Sequence, residues 1–135
     1  MSENILFVCV ENAGRSQMAE AFFRTFAPNQ FNVSSAGTTP SSQLHPIVIQ
    51  VMKEIGIDMV NQQPKLLSDS MIEHSSKTVN MGCMNIESCP SLFVKDVFDW
   101  NILDPKEKSL EEVRKIRDEI KSKVIALIKS LEEID

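Results

Sequence analysis

The chain is predicted to fold as α/β, a single three-layer α/β/α domain built on a four-stranded parallel sheet. Three observations carry that expectation. Apolar runs of strand length recur along the chain, and most are separated by segments of helical period, an order that favours parallel pairing. The first run, "NILFVCV" (4–10), is apolar after its first residue, as in a strand buried on both faces. The length of 135 residues suits one domain, 1–135, with one core.

Each element follows from its own local signal. After the first strand, "RSQMAEAFFRTFA" (15–27) places Met18, Ala19, Phe22, Phe23 and Phe26 on one face of an amphipathic helix. "FNVSSAG" (31–37) is a short second strand ending at Gly37. "HPIVIQVMKEIG" (45–56) is a helix with Pro46 in its first turn and Gly56 as its stop. "LSDSMIEHS" (67–75) is a short helix capped by Ser68. "KTVNMG" (77–82) and "VKDVFDW" (94–100) are the third and fourth strands. From Ser109 a long helix begins with a capping box of Ser109 and Glu112. Its apolar positions, Leu110, Val113, Ile116, Ile120, Val124, Leu127, Leu131 and Ile134, recur at threes and fours, so it packs on the sheet.

Composition narrows the function. Hydrophobic content is 42% and charged content 24%, ordinary for a globular chain. A net charge of -5 argues against a nucleic-acid or membrane-surface role, each of which needs a basic footprint. No apolar run is long enough to span a bilayer and no basic segment leads into one, so a cytoplasmic location is expected. Three cysteines do not read as a disulfide framework. Cys83 and Cys89 lack further ligands at zinc-site spacing, so no metal is expected. His45 and His74 are expected at the surface or at helix caps.

The chemistry concentrates in "CVENAGR" (9–15). In parallel sheets ligands bind at the carboxyl ends of strands, near the point where strand order reverses. Cys9 stands where the first strand ends. The backbone amides of Val10, Glu11, Asn12, Ala13, Gly14 and Arg15 can curl around an anion and open into a helix N-terminus. Gly14 is expected to allow a backbone shape that other residues resist. Arg15 can fork onto two oxygens of a tetrahedral oxyanion. The same positive partial charges favour a thiolate at Cys9, and Ser16 can donate to that sulfur. One turn thus supplies a nucleophile and an oxyanion cradle. The bland alternative is a buried strand cysteine beside a surface arginine.

These residues carry a resemblance. "CVENAGRSQMAEAF", "SSAG", "CMNIESCP" and "LDP" together resemble the thioredoxin-coupled arsenate reductases of the low-molecular-weight protein tyrosine phosphatase fold (the phosphotyrosine phosphatase I fold). The likeness runs over nearly the whole chain. It implies that Cys9 attacks arsenate while Asp104, before Pro105, acts as general acid. It implies that Cys83 then attacks Cys9, releasing arsenite, and that Cys89 moves the disulfide to Cys83–Cys89. Thioredoxin or a similar external thiol reductant would reduce that bond, with no bound cofactor. Asn12 would brace the loop. The implied partners are an arsenate or phosphate oxyanion and the reductant, with the chain acting as a monomer.

The chain contains no tyrosine, whereas phosphotyrosine phosphatases of this fold place aromatics around the entrance. A phosphatase acting through a Cys9 phosphoenzyme is the alternative reading; an oxyanion-binding or redox-sensing module that turns nothing over is a third. Three positions depart from the resemblance. Glu11 puts a carboxylate in the anion loop and must point away from the anion. Five residues separate Cys83 from Cys89, fewer than in better-known members. Some members bind potassium through an Asn, a Glu, a Ser and an Asp. Asn12, Glu20 and Ser35 match, but Lys65 stands at the Asp position; either its ammonium replaces the cation or it is a solvated surface lysine.

Overall fold

In a computed structural model the described residues are 3–28, 30–81 and 97–133. Eight elements follow one another: β1 (Glu3–Cys9), α1 (Arg15–Phe26), β2 (Phe31–Gly37), α2 (Pro46–Lys53), α3 (Asp69–His74), β3 (Lys77–Asn80), β4 (Val97–Asp99) and α4 (Leu110–Glu133). The predicted order of strands and helices holds, with boundaries shifted by a few residues at most ends. The sheet is wholly parallel, in the order β2-β1-β3-β4. β1 is therefore interior, and the strand order reverses beside it.

That position explains the apolar run. Ile5, Phe7 and Cys9 join the large core with α1, α2 and α4, while Leu6 and Val8 pack on Ile72 of α3. Both faces of β1 are covered, so every residue from Ile5 to Cys9 is buried. Phe7 meets Phe23 edge-on at 6.1 Å and Trp100 at 5.8 Å, which ties β1 to α1 and to the end of β4. Each wholly buried side chain of this size contributes roughly 1.5–3 kcal/mol through burial.

The caps are those the sequence marks. Ser109 Oγ accepts from Glu112 N at 3.2 Å while Glu112 Oε1 accepts from Ser109 N at 3.2 Å, a closed capping box. Ser68 Oγ accepts from Met71 N at 3.2 Å. α2 ends with Gly56 at φ 82, Gly56 N donating to Lys53 O at 3.0 Å and Ile57 N to Met52 O at 3.0 Å. That is a Schellman stop, which needs a left-handed residue.

α1 departs from the amphipathic pattern. Every residue from Arg15 to Phe23 is buried, polar ones included, whereas Phe26 is exposed. Met18, Ala19, Ala21, Phe22 and Phe23 pack in the core, while Arg15, Ser16, Gln17 and Glu20 are each hydrogen-bonded inside the protein. Phe26 stacks on Phe22 at 6.3 Å, and the Lys121 ammonium sits over its ring. Among the described residues no helix is long and apolar enough to cross a membrane.

Candidate active site

Cys9 ends β1 and Arg15 begins α1, so the loop between them lies at the carboxyl edge of the sheet where strand order reverses. The loop's carbonyls are tied outward. Val10 O accepts from Thr39 N at 2.9 Å, Glu11 O from Ser41 N at 3.0 Å and Ala13 O from His45 N at 3.1 Å. Asn12 O accepts from Gln17 Nε2 at 3.0 Å. In a trans peptide the next N–H points opposite to the carbonyl. The amides of Glu11, Asn12, Ala13 and Gly14 therefore turn inward, and Asn12 N donates to Cys9 Sγ at 3.3 Å. This is a cradle for an anion.

The sulfur is positioned by side chains as well. Cys9 Sγ lies 2.8 Å from Ser16 Oγ, and Asn12 Nδ2 donates to that same oxygen at 2.6 Å. The Asn12 amide can face only this way. Its Oδ1 already accepts from Gln17 Nε2 at 2.9 Å and from Lys65 N at 2.8 Å. With Asn12 donating into it, the Ser16 oxygen keeps its own proton for the sulfur.

The left-handed residue of the loop is Asn12, at φ 52. The sequence reading gave the special backbone to Gly14, which has φ -139 and ψ -91. That backbone is neither helical nor extended, and Gly14 also saves space: a Cβ there would stand 3.0 Å from Pro105 Cγ and 3.5 Å from the His45 ring. Gly37, paired in register with Cys9, is tighter still. A Cβ on it would collide with the Val10 carbonyl oxygen and stand 3.0 Å from Asn12 N.

Arg15 is only 5% exposed. Its Nη1 donates to Met81 O at 3.1 Å and to Ile102 O at 3.1 Å, the chain ends just beyond β3 and β4. Its Nη2 lies 3.7 Å from Asp104 Oδ2, and Asp104 Oδ1 accepts from Lys106 N at 3.0 Å. The guanidinium and the carboxyl proposed as acid thus share one cavity of about 270 Å³. Among the described residues Cys9, Val10, Glu11, Ala13, Gly14, His45 and Lys106 also line it. A larger cavity of about 750 Å³ between α2 and residues 56–64 contains none of these groups, so size does not mark the site.

Cys83 and Cys89 lie outside the described residues. Asn12, Glu20, Ser35 and Lys65 come together beneath the loop. Glu20 is buried and accepts from Ser35 Oγ at 2.7 Å; Arg24 Nη2 lies 2.9 Å from it and Lys65 Nζ 3.7 Å. The oxygens a potassium ion would use are already taken by protein donors and two protein cations. These residues do not fit a bound potassium ion.

Four contributors were not singled out from sequence. Gln17, wholly buried, and Gln62, which donates to Gln17 Oε1 at 2.7 Å, brace the loop from behind. Lys106 and His45 reach Glu11 at the cavity mouth. His45 does hold the N-cap position expected of it, but its ring lines the cavity.

Comparison with known proteins agrees with this geometry. An arsenate reductase of Staphylococcus aureus is 36% identical over 121 residues, 88% of this chain and 91% of its own. A glutaredoxin arsenate reductase of Synechocystis is 32% identical, over 93% of this chain and 96% of its own. The solved structure of a thioredoxin-dependent arsenate reductase of Corynebacterium glutamicum superposes with a TM-score of 0.83 at 34% identity. That match covers 99% of this chain, which spans 64% of that structure's chain. The family model described as low molecular weight phosphotyrosine protein phosphatase matches residues 4–134, and this chain belongs to that family.

Proposed function

We propose that the chain reduces arsenate to arsenite through a relay of three thiols. The observation that carries the reading is an anion cradle with its nucleophile in a chain that also holds two further cysteines, beyond β3 in sequence. Hydrolysis of an ester needs a nucleophile, an acid and water; moving two electrons to arsenic needs the extra sulfurs.

Arsenate sits among the inward amides and Arg15. The Cys9 thiolate attacks arsenic, and Asp104 gives its proton to the departing oxygen, which leaves as water. Cys83 thiolate then attacks Cys9 Sγ. The sulfur–arsenic bond breaks, its electron pair stays on arsenic, and arsenite leaves a Cys9–Cys83 disulfide. Cys89 thiolate attacks Cys83, Cys9 departs as thiolate, and a Cys83–Cys89 disulfide awaits an external dithiol. Thioredoxin is the proposed donor, because the pair regenerated is an intramolecular disulfide and a similar structure is named as thioredoxin-dependent. The working unit is one cytoplasmic chain with no bound cofactor. Lys65 supplies the positive charge that a potassium ion supplies elsewhere in the resemblance.

The test is arsenate-dependent NADPH oxidation with thioredoxin and thioredoxin reductase, run beside glutathione with glutaredoxin. Wild type should turn over with thioredoxin, and Cys9→Ser, Cys83→Ser and Cys89→Ser should each stop. Silence with both donors, together with Cys9-dependent hydrolysis of an aryl phosphate, would make the protein a phosphatase.

A further inference from the structure

Glu11 is the only carboxylate within the anion loop 9–15. A carboxylate there repels the ligand unless something offsets it. Its main chain is fixed by the bond from Ser41 N to Glu11 O. Its side chain leaves the cavity floor for the rim. Oε1 lies 3.4 Å from Lys106 Nζ, and Oε2 lies 3.8 Å from His45 Nε2. Cys9, at the floor, is 3% exposed, whereas the Glu11 and Lys106 side chains are 29% and 56% exposed. Glu11 comes from the anion loop and Lys106 from the loop that carries Asp104. The ion pair therefore joins two walls of one opening, on its solvent side.

We propose that the Glu11–Lys106 pair is a bar across the cavity mouth that selects unsubstituted tetrahedral oxyanions over phosphate monoesters. The proposal deepens, and rests on, the reading of Cys9 as the nucleophile toward a bound oxyanion. In-line attack by Cys9 requires the departing oxygen on the side away from the sulfur. An inorganic oxyanion has only a small hydroxyl or oxide there. A monoester must carry its whole substituent outward, past Asp104, through the opening the ion pair spans. Among the described residues nothing receives that substituent: none of those lining the cavity is Phe, Trp or Tyr. A ring can enter only by separating Glu11 from Lys106. Lys106 has a second effect, because it offsets the Glu11 charge that would otherwise repel every anion at the mouth.

The experiment compares wild type, Glu11→Gln, Lys106→Met and the double variant in two assays that need no reductant. One is kcat/KM for hydrolysis of 4-nitrophenyl phosphate. The other is the Kd of inorganic phosphate, read from its protection of Cys9 against iodoacetamide in a Cys83→Ser/Cys89→Ser background. The double variant should gain about tenfold in ester kcat/KM while its phosphate Kd moves less than about threefold. Lys106→Met alone should weaken phosphate, and adding Glu11→Gln should restore it. Retained phosphate protection shows that the variants are folded. The proposal is overturned if the double variant hydrolyses the ester no faster than wild type, or if ester and phosphate shift by one common factor. A wild type that fails to reduce arsenate, with the ester gain intact, would remove the proposed function and leave the bar standing.

Discussion

Gln17 grips both oxygens of Asn12, its Nε2 lying 3.0 Å from the main-chain carbonyl and 2.9 Å from Oδ1. It thereby holds a residue at φ 52 whose own groups donate to Cys9 and to Ser16. Replacing Gln17 by Ala takes the side-chain donor from the buried Asn12 carbonyl, while Oδ1 keeps Lys65 N and the Gln62 amide keeps the main-chain carbonyl of residue 17. Unsatisfied buried groups cost about 1–3 kcal/mol. The variant should lose about 2–3 kcal/mol in urea unfolding. Iodoacetamide should also alkylate Cys9 more slowly at pH 7 in a background where Cys83 and Cys89 are Ser.

Gly37→Ala attacks the same loop from β2. Its Cβ would press on the Val10 carbonyl and the Asn12 backbone, neither of which can move without shifting the inward amides. Overpacking of this kind costs about 1–3 kcal/mol. Phosphate protection of Cys9 should weaken by more than the stability loss alone requires, since the cradle itself is displaced.

Asp104→Asn keeps the size of the side chain facing Arg15 and removes the proton it can give. Loss of a general acid costs about 10²–10⁴ in the chemical step. Single-turnover arsenate reduction should slow by such a factor while phosphate still protects Cys9. An equal loss in both would make Asp104 a binding group instead.

Lys65 lies 3.7 Å from Glu20 and donates its backbone N–H to Asn12. Exchanging sodium for potassium chloride at constant ionic strength should leave kcat/KM of the wild type unchanged. Lys65→Asp should lower activity and make what remains respond to potassium. A clear potassium activation of the wild type would overturn the assignment.

Away from the site, Glu54 joins α2 to α4. Its carboxyl is held below the ordinary value of 4.5, first by the hydrogen bond from Arg114, against the opposing effect of desolvation, and further by Arg117. A folded value below the unfolded one contributes stability above the ordinary value, which is lost as pH falls through the lowered one. Glu54→Gln should therefore lower Tm at neutral pH, and the gap to wild type should close as pH drops below 4.5. Glu112, held down first by the Ser109 amide, titrates in the same direction and remains in the variant.

What could be read from sequence was what lies close along the chain. The run from Ile5 to Cys9, the Ser68 and Ser109 caps, the Gly56 stop and the Cys9–Arg15 turn all have short-range signals. What escaped is joined across the fold. Lys106 and Glu11 are 95 positions apart, and Gln62 and Gln17 are 45 apart. A buried glutamine has no periodic signature, and on a helix wheel Gln17 reads as a solvent residue. The same blindness explains α1: periodicity puts Phe26 inside and cannot see that Arg15, Ser16 and Glu20 are buried on partners from elsewhere in the fold. Asn12 took the left-handed position because Gln17 and Lys65 hold its side chain, and both lie outside the loop.

Arg15 fastens to carbonyls, not to side chains, at Met81 and Ile102. Any residue supplies a carbonyl, so the bond itself does not depend on which side chain stands at either anchor. The anchors also clamp the two ends of one stretch of chain and are indifferent to the number of residues between them. A lineage could lengthen, shorten or rewrite the segment between β3 and β4, cysteines included, while the oxyanion cradle stays as it is. The grip on the anion and the fate of the bound atom are thereby inherited as separate parts, so that one scaffold can pass between hydrolysis and reduction by editing a single connection.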